Sequence, residues 1–115
     1  YFDALYAYYG KPIIICDHQC SFPTPEHSET MWKQLESESA VAEMYRKYVA
    51  AAVAKPYIIG YHRCQYIDRY NEYPGVLKQG ILREDGSAYK VLEAAITAAN
   101  ASALETFAAS IKSTN

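Results

Sequence analysis

Two short polar clusters hold the residue types that do chemistry: Cys16-Asp17-His18-Gln19-Cys20 and His62-Arg63-Cys64-Gln65-Tyr66. Asp17 is the first candidate. A carboxylate at the mouth of a parallel sheet commonly serves as nucleophile, general acid or base, or ligand. It serves equally to cap the loop that follows. The second candidate group is His62, Arg63, Gln65, Tyr66 and Asp68, which sets hydrogen-bond donors and acceptors beside an aromatic, as a sugar site requires. Arg63 and Asp68 would equally form a structural ion pair. The third is a soft-metal set. In a strand, positions 16, 18 and 20 share a face, as do 62 and 64, so Cys16, His18, Cys20, His62 and Cys64 offer thiols and imidazoles. Their spacing matches none of the usual zinc patterns, and neither a structural metal nor a cofactor is expected.

The elements that must position these clusters announce themselves as a pair. Gly10-Lys-Pro-Ile-Ile-Ile-Cys-Asp17 and Ala54-Lys-Pro-Tyr-Ile-Ile-Gly-Tyr-His62 each open on Lys-Pro, continue through an Ile-containing apolar run and end on polar residues. A proline suits the first position of a strand, where no N–H is needed. Unalternated Ile runs read as strands buried on both faces, the mark of a parallel sheet. Strands are expected over about 12–17 and 57–62. Between them Val41, Met44, Tyr45, Tyr48, Val49, Ala52 and Val53 recur at helical spacing, predicting a helix over about 39–55. The unit is thus β-loop-α-β, whose chemistry lies at the carboxyl ends of the strands.

The long polar loop from Ser21 to about Glu38 carries Phe22 and Trp32. Loops of this length are often functional; Trp32 either stacks on a ligand or anchors the loop. A first helix is expected over Tyr1–Tyr9, stopped by Gly10. An extended piece is expected over Val76–Leu82, a turn at Asp85-Gly86, a helix over 87–100, and a helical or frayed tail over 101–115.

At 115 residues the chain is at most one domain. A net charge of −2 gives no electrostatic case for nucleic acid. No run approaches the roughly 18 apolar residues of a membrane span. The three cysteines argue against a self-contained disulfide framework. Twelve tyrosines suit a ring-binding groove or an ordinary core edge. There is no phosphate-cradling Gly-rich loop and no Gly-x-Ser-x-Gly elbow. Two parallel strands are not a stable sheet, so the sheet is expected to continue upstream or in a partner chain. A chain opening at Tyr1 without Met is expected to be a fragment or a processed product.

The order Tyr-Tyr-Gly-Lys-Pro-Ile-Ile-Ile-Cys-Asp17, a helix, then Lys-Pro-Tyr-Ile-Ile-Gly-Tyr-His-Arg-Cys-Gln-Tyr-Ile-Asp68 resembles the end of a retaining (β/α)8 glycoside hydrolase of the clan containing β-agarases and β-galactosidases. The likeness continues through Gln79-Gly-Ile-Leu to Tyr89 and ends at Ala99-Asn100. It implies an α/β fold forming strands seven and eight of a TIM barrel of roughly 250 residues or more, with residues 1–100 its C-terminal part and further strands upstream. It implies hydrolysis of O-glycosidic bonds in a polysaccharide or oligosaccharide, secretion or a periplasmic location, and no cofactor. Asp17 then takes the nucleophile position, and His18, Gln19, His62, Arg63, Gln65, Tyr66 and Trp32 line the sugar site.

Two departures bear on this. The family has Glu where this chain has Asp17, one methylene shorter. Carboxyl separations of about 5–5.5 Å go with retention and about 6.5–9.5 Å with inversion. The shorter side chain widens the gap, draws the backbone in, or gives up the role. The family also has Trp where this chain has Arg63, which exchanges an aromatic platform for a fork suited to carboxylate or sulfate. A barrel that binds carbohydrate without cleaving it, and a small Cys/His metal-binding module, are the competing readings.

Overall fold

The structure, a computed structural model, describes residues 1–31, 33–70 and 78–113. Trp32 and the first part of the expected extended piece, Val76 and Leu77, lie outside the described residues. Helix α1 (Phe2–Tyr9) ends where the sequence places a stop: Gly10 adopts φ 60° and its N–H bonds the Tyr6 carbonyl at 2.8 Å. Strands β1 (Ile13–His18) and β2 (Ile58–Arg63) pair in parallel. Helix α2 (Glu38–Val53) joins them, and helix α3 (Lys90–Lys112) follows β2. The α3 helix runs unbroken across residue 100. No Gly or Pro interrupts its Ala-rich sequence, and so nothing stops it there.

The main core lies between α2 and α3. Val41, Ala42, Tyr45 and Val49 pack with Leu92, Ala95 and Ile96, joined by Cys20 and Phe22 from the loop after β1. Ser37 caps α2, its hydroxyl accepting the Ala40 N–H at 3.1 Å. Glu38, in the first turn of α2, also serves α3: its Oε1 accepts the N–H groups of Val91 and Leu92, at 2.8 and 3.0 Å. Tyr45 Oη then ties the two helices midway by donating to Asn100 Oδ1 at 2.9 Å.

A smaller core of Ile15, Ile58 and Ala52 seats the strand pair on α2. The pairing runs Ile13↔Ile58, Ile14↔Gly60, Ile15↔Tyr61 and His18↔Arg63, with irregularities after Ile13 and between Ile15 and His18. Expected burial on both faces is met on one only. Ile14 and Ile59 are 54% and 55% exposed. Ile14 faces Gly60, where a Cβ would come 3.4 Å from its Cγ2. α1 lies against the start of β2, with Tyr6 stacked on Tyr57 at 4.3 Å and Asp3 accepting from Lys55 Nζ at 2.7 Å.

Candidate functional site

The end of β1 departs from a regular strand at one residue. Asp17 has φ 58°, a left-handed conformation that Asp tolerates better than most residues but that still costs energy. This is the register irregularity between Ile15 and His18 seen from the backbone. It separates Asp17 from its neighbour: Asp17 is exposed at the strand end, while His18 turns to the helices. His18 stacks on Tyr48 with centroids 3.9 Å apart, and its Nδ1 lies 2.7 Å from Tyr61 Oη. Burial, reinforced by nearby Arg63, pulls the His18 imidazole below its ordinary value.

Around Asp17 the structure gathers Cys64, Gln79 and Gln19. Partial burial, with the Asp17 carboxylate nearby, pushes the Cys64 thiol up. Gln79 Nε2 donates to Gln19 Oε1 at 2.9 Å and lies 3.6 Å from Cys64 Sγ. Gln79 is 4% exposed. Its role is invisible in the sequence, where it is simply one residue of the Gln-Gly-Ile-Leu stretch. The one local signal is the following Gly80, where a Cβ would come 2.5 Å from the Asp68 nitrogen. Only glycine lets this segment press against the backbone of Ile67 and Asp68, beyond β2, and that approach delivers Gln79.

Arg63 is spent internally. Its Nη2 donates to the carbonyls of Gln79 at 2.8 Å and Cys20 at 3.3 Å, joining the segment after β2 to the end of β1. Its remaining nitrogens are buried, and burial lowers the guanidinium from its ordinary value. Nη2 is thus committed to backbone carbonyls of this chain, while Nε and Nη1 are buried without a hydrogen-bond partner. Asp68 is buried too. It accepts from the Gly80 N–H at 2.7 Å, Tyr89 Oη at 2.6 Å and Tyr70 Oη at 3.3 Å. Its oxygens organise the loop rather than facing a groove or pairing with Arg63.

Of the other sugar-site candidates, His62 and Tyr66 are exposed at the end of β2 and just beyond it, and Gln65 is half-buried between them. Trp32 lies outside the described residues. The five candidate metal ligands do not converge. Cys16 is exposed, Cys20 is buried in the helical core and His18 lies on Tyr48. Among the described residues no three His, Cys, Asp or Glu side chains form a group that could hold a metal ion, and no helix is long and apolar enough to cross a membrane.

No protein-family model matches the chain, and no curated protein matches it. Solved structures do. An exo-β-agarase superposes with a TM-score of 0.78 at 24% identity, covering 90% of this chain and 15% of its own. The protein PfGH50B superposes with a TM-score of 0.76 at 24% identity, covering 90% of this chain and 16% of its own. The agarase resemblance read from the sequence is thus met again in the fold. At this identity the likeness shows fold alone: a small α/β unit of two parallel strands with their helices, matching part of a much larger glycoside hydrolase chain. This chain spans about 15% of that enzyme's length.

Proposed function

We propose that this chain is the C-terminal part of a (β/α)8 glycoside hydrolase that cleaves O-glycosidic bonds in a polysaccharide or oligosaccharide, with Asp17 as its nucleophile. One observation carries the reading: at the carboxyl end of β1, a left-handed residue turns an exposed carboxylate away from the helical layer in a fold shared with an exo-β-agarase. In a retaining reaction the Asp17 carboxylate attacks the anomeric carbon as the glycosidic oxygen leaves with a proton from an upstream carboxylic acid. Water then hydrolyses the glycosyl ester and restores Asp17. His62, Gln65 and Tyr66 would contact sugar hydroxyls at the same rim.

The test is Asp17→Asn and Asp17→Glu in the complete protein, assayed for turnover and binding on agar, galactan and acidic oligosaccharides. Asp17→Asn is expected to bind sugar and lose at least about a thousandfold in turnover. Asp17→Glu is expected to keep activity, because it restores the carboxylate that the resembling family uses. An Asn variant with wild-type turnover rules out the nucleophile role.

A further inference from the structure

Resting on that reading of Asp17, we infer that Tyr61 is a positioning residue. By holding the His18 ring on the helical side of the sheet, it fixes the extra residue of β1 that presents the Asp17 carboxylate. The register carries this. Ile15 pairs with Tyr61 and His18 with Arg63. Three steps along β1, from 15 to 18, therefore match two along β2, from 61 to 63. Between these pairs β1 holds one residue more than its partner strand. Such an insertion re-aims a side chain near the end of a strand.

Side-chain direction shows where the insertion acts. In a regular strand, residues 15 and 17 share one face and 16 and 18 the other. Here Ile15 is buried with Ile58 and Ala52 of α2. His18 lies on the same helix, stacked on Tyr48 with centroids 3.9 Å apart. The alternation is thus broken between them, at the exposed residues Cys16 and Asp17. Asp17 takes the left-handed φ of 58° at that point. A non-glycine residue persists there only where its surroundings over-determine it.

The residues on either side of Asp17 do this. Ile15 is fixed by the core. The His18 carbonyl accepts the Cys64 N–H at 3.1 Å, its ring rests on Tyr48, and its Nδ1 lies 2.7 Å from Tyr61 Oη. Stacking alone lets a ring slide or turn over; the Tyr61 hydroxyl gives it a directional contact. Without that contact β1 is free to slip back by one residue to regular alternation. A one-residue slip turns the side chains beyond it to the opposite face. The carboxylate would then swing from the exposed rim toward α2.

Turnover and urea unfolding of paired variants of the complete protein test this. Tyr61→Phe removes the hydroxyl and keeps the ring. It is expected to lower kcat about fivefold, the order of one net hydrogen bond, with KM little changed. Tyr45→Phe is the control, since it removes the same group from a bond between α2 and α3, where Tyr45 Oη donates to Asn100 Oδ1. It is expected to lose similar stability and keep wild-type kcat. A merely structural hydroxyl at Tyr61 would behave in the same way. Asn has nearly the shape of Leu but keeps a polar atom in the place of Nδ1. His18→Asn is therefore expected to retain several-fold more kcat than His18→Leu. Tyr61→Phe is expected to add little in the His18→Leu background. Wild-type kcat in Tyr61→Phe, or His18→Asn no better than His18→Leu, overturns the positioning role, while an inactive Asp17→Asn variant leaves the nucleophile in place. Wild-type turnover in Asp17→Asn overturns the nucleophile, and the positioning role with it.

Discussion

The helical layer and the strand pair of this molecule are finished to different degrees. Between α2 and α3 every device of a settled core is present. Leu92 and Val41 are fully buried, Glu38 caps the neighbouring helix, and Tyr45 reaches across to Asn100. The strands are settled on one face only. Ile15 and Ile58 are buried against α2, while Ile14 and Ile59 stand more than half exposed. Isoleucine costs nothing special when it is singly exposed, but two on adjacent parallel strands form a face made to be covered. The polar ends of the same strands are bonded through Arg63, Gln79 and Asp68, yet Arg63 Nε and Nη1 and Gln79 Oε1 are buried there without a hydrogen-bond partner. The helical layer is thus closed by contacts within this chain, whereas the sheet face and the strand ends both keep groups that these contacts leave uncovered or unpartnered.

The largest effect that bears on this contrast is expected at Gly80. A Cβ there would meet backbone atoms of Asp68, Leu82 and Ile67 at 2.5–2.8 Å. Backbone cannot yield as a flexible side chain does. Gly80→Ala is expected to cost about 3 kcal/mol or more, read by urea unfolding, and to release Gln79 from the site. A stability loss within about 0.5 kcal/mol would show that the strand-end loop is not rigidly seated. Leu92→Ala comes next, at about 2–5 kcal/mol for a large-to-small change in a closed core. The same truncation at Ile14 should cost far less, and equal costs would erase the contrast between the two regions.

Much of the framework is legible in the sequence because it rests on local chemistry. Lys-Pro and the Ile runs place both strands within a residue or two, the 3.6 spacing from Val41 places α2, and Gly10 ends α1 as a left-handed cap. Asp17 is legible as a strand-end carboxylate. The partners of the site are not. His18 and Asp17 are adjacent, yet Asp17 is exposed at the strand end while His18 stacks on Tyr48, a contact with no sequence signature. Arg63 is read as a ligand fork because its long-range acceptors, the carbonyls of Cys20 and Gln79, have no sequence signature. Gln79 is hidden for the same reason, lying sixty positions from Gln19.

Lys78 offers a smaller, pH-dependent effect. Its Nζ is buried without a hydrogen-bond acceptor, 3.4 Å from the centroid of the Phe22 ring and 4.5 Å from that of Tyr89. Asp68 raises and Arg83 lowers its affinity for a proton, but burial dominates and pulls the ammonium down to about 8. An unfolded lysine titrates near 10.4. From about pH 8 upward the unfolded chain therefore binds the proton that the folded chain has lost, and stability rises with pH. The raised tyrosines and cysteines oppose this at high pH but are common to wild type and a Lys78 variant, so wild type is expected to gain stability from pH 7 to 9.5 relative to Lys78→Met. Lys78→Met is expected to be more stable at pH 7 and to lack this rise. Parallel pH profiles for the two proteins would refute a lysine buried at that cost.

The smallest expected effect falls on the bare face itself. Ile59→Asp in this 115-residue chain places a charge where the side chain already meets water. Little buried apolar area is lost, so unfolding stability should change by about 0.5 kcal/mol or less. Association should change more, since a charge on an exposed strand of a two-stranded sheet blocks edge and face pairing between copies. Sedimentation at increasing concentration is expected to show the wild-type chain self-associating and Ile59→Asp remaining monomeric. In the complete protein the same substitution should be far more damaging, because barrel strands covering this face would bury an unpaired carboxylate. A variant equally harmless in both settings would mean that no further sheet covers Ile59, and the barrel reading would fall with it.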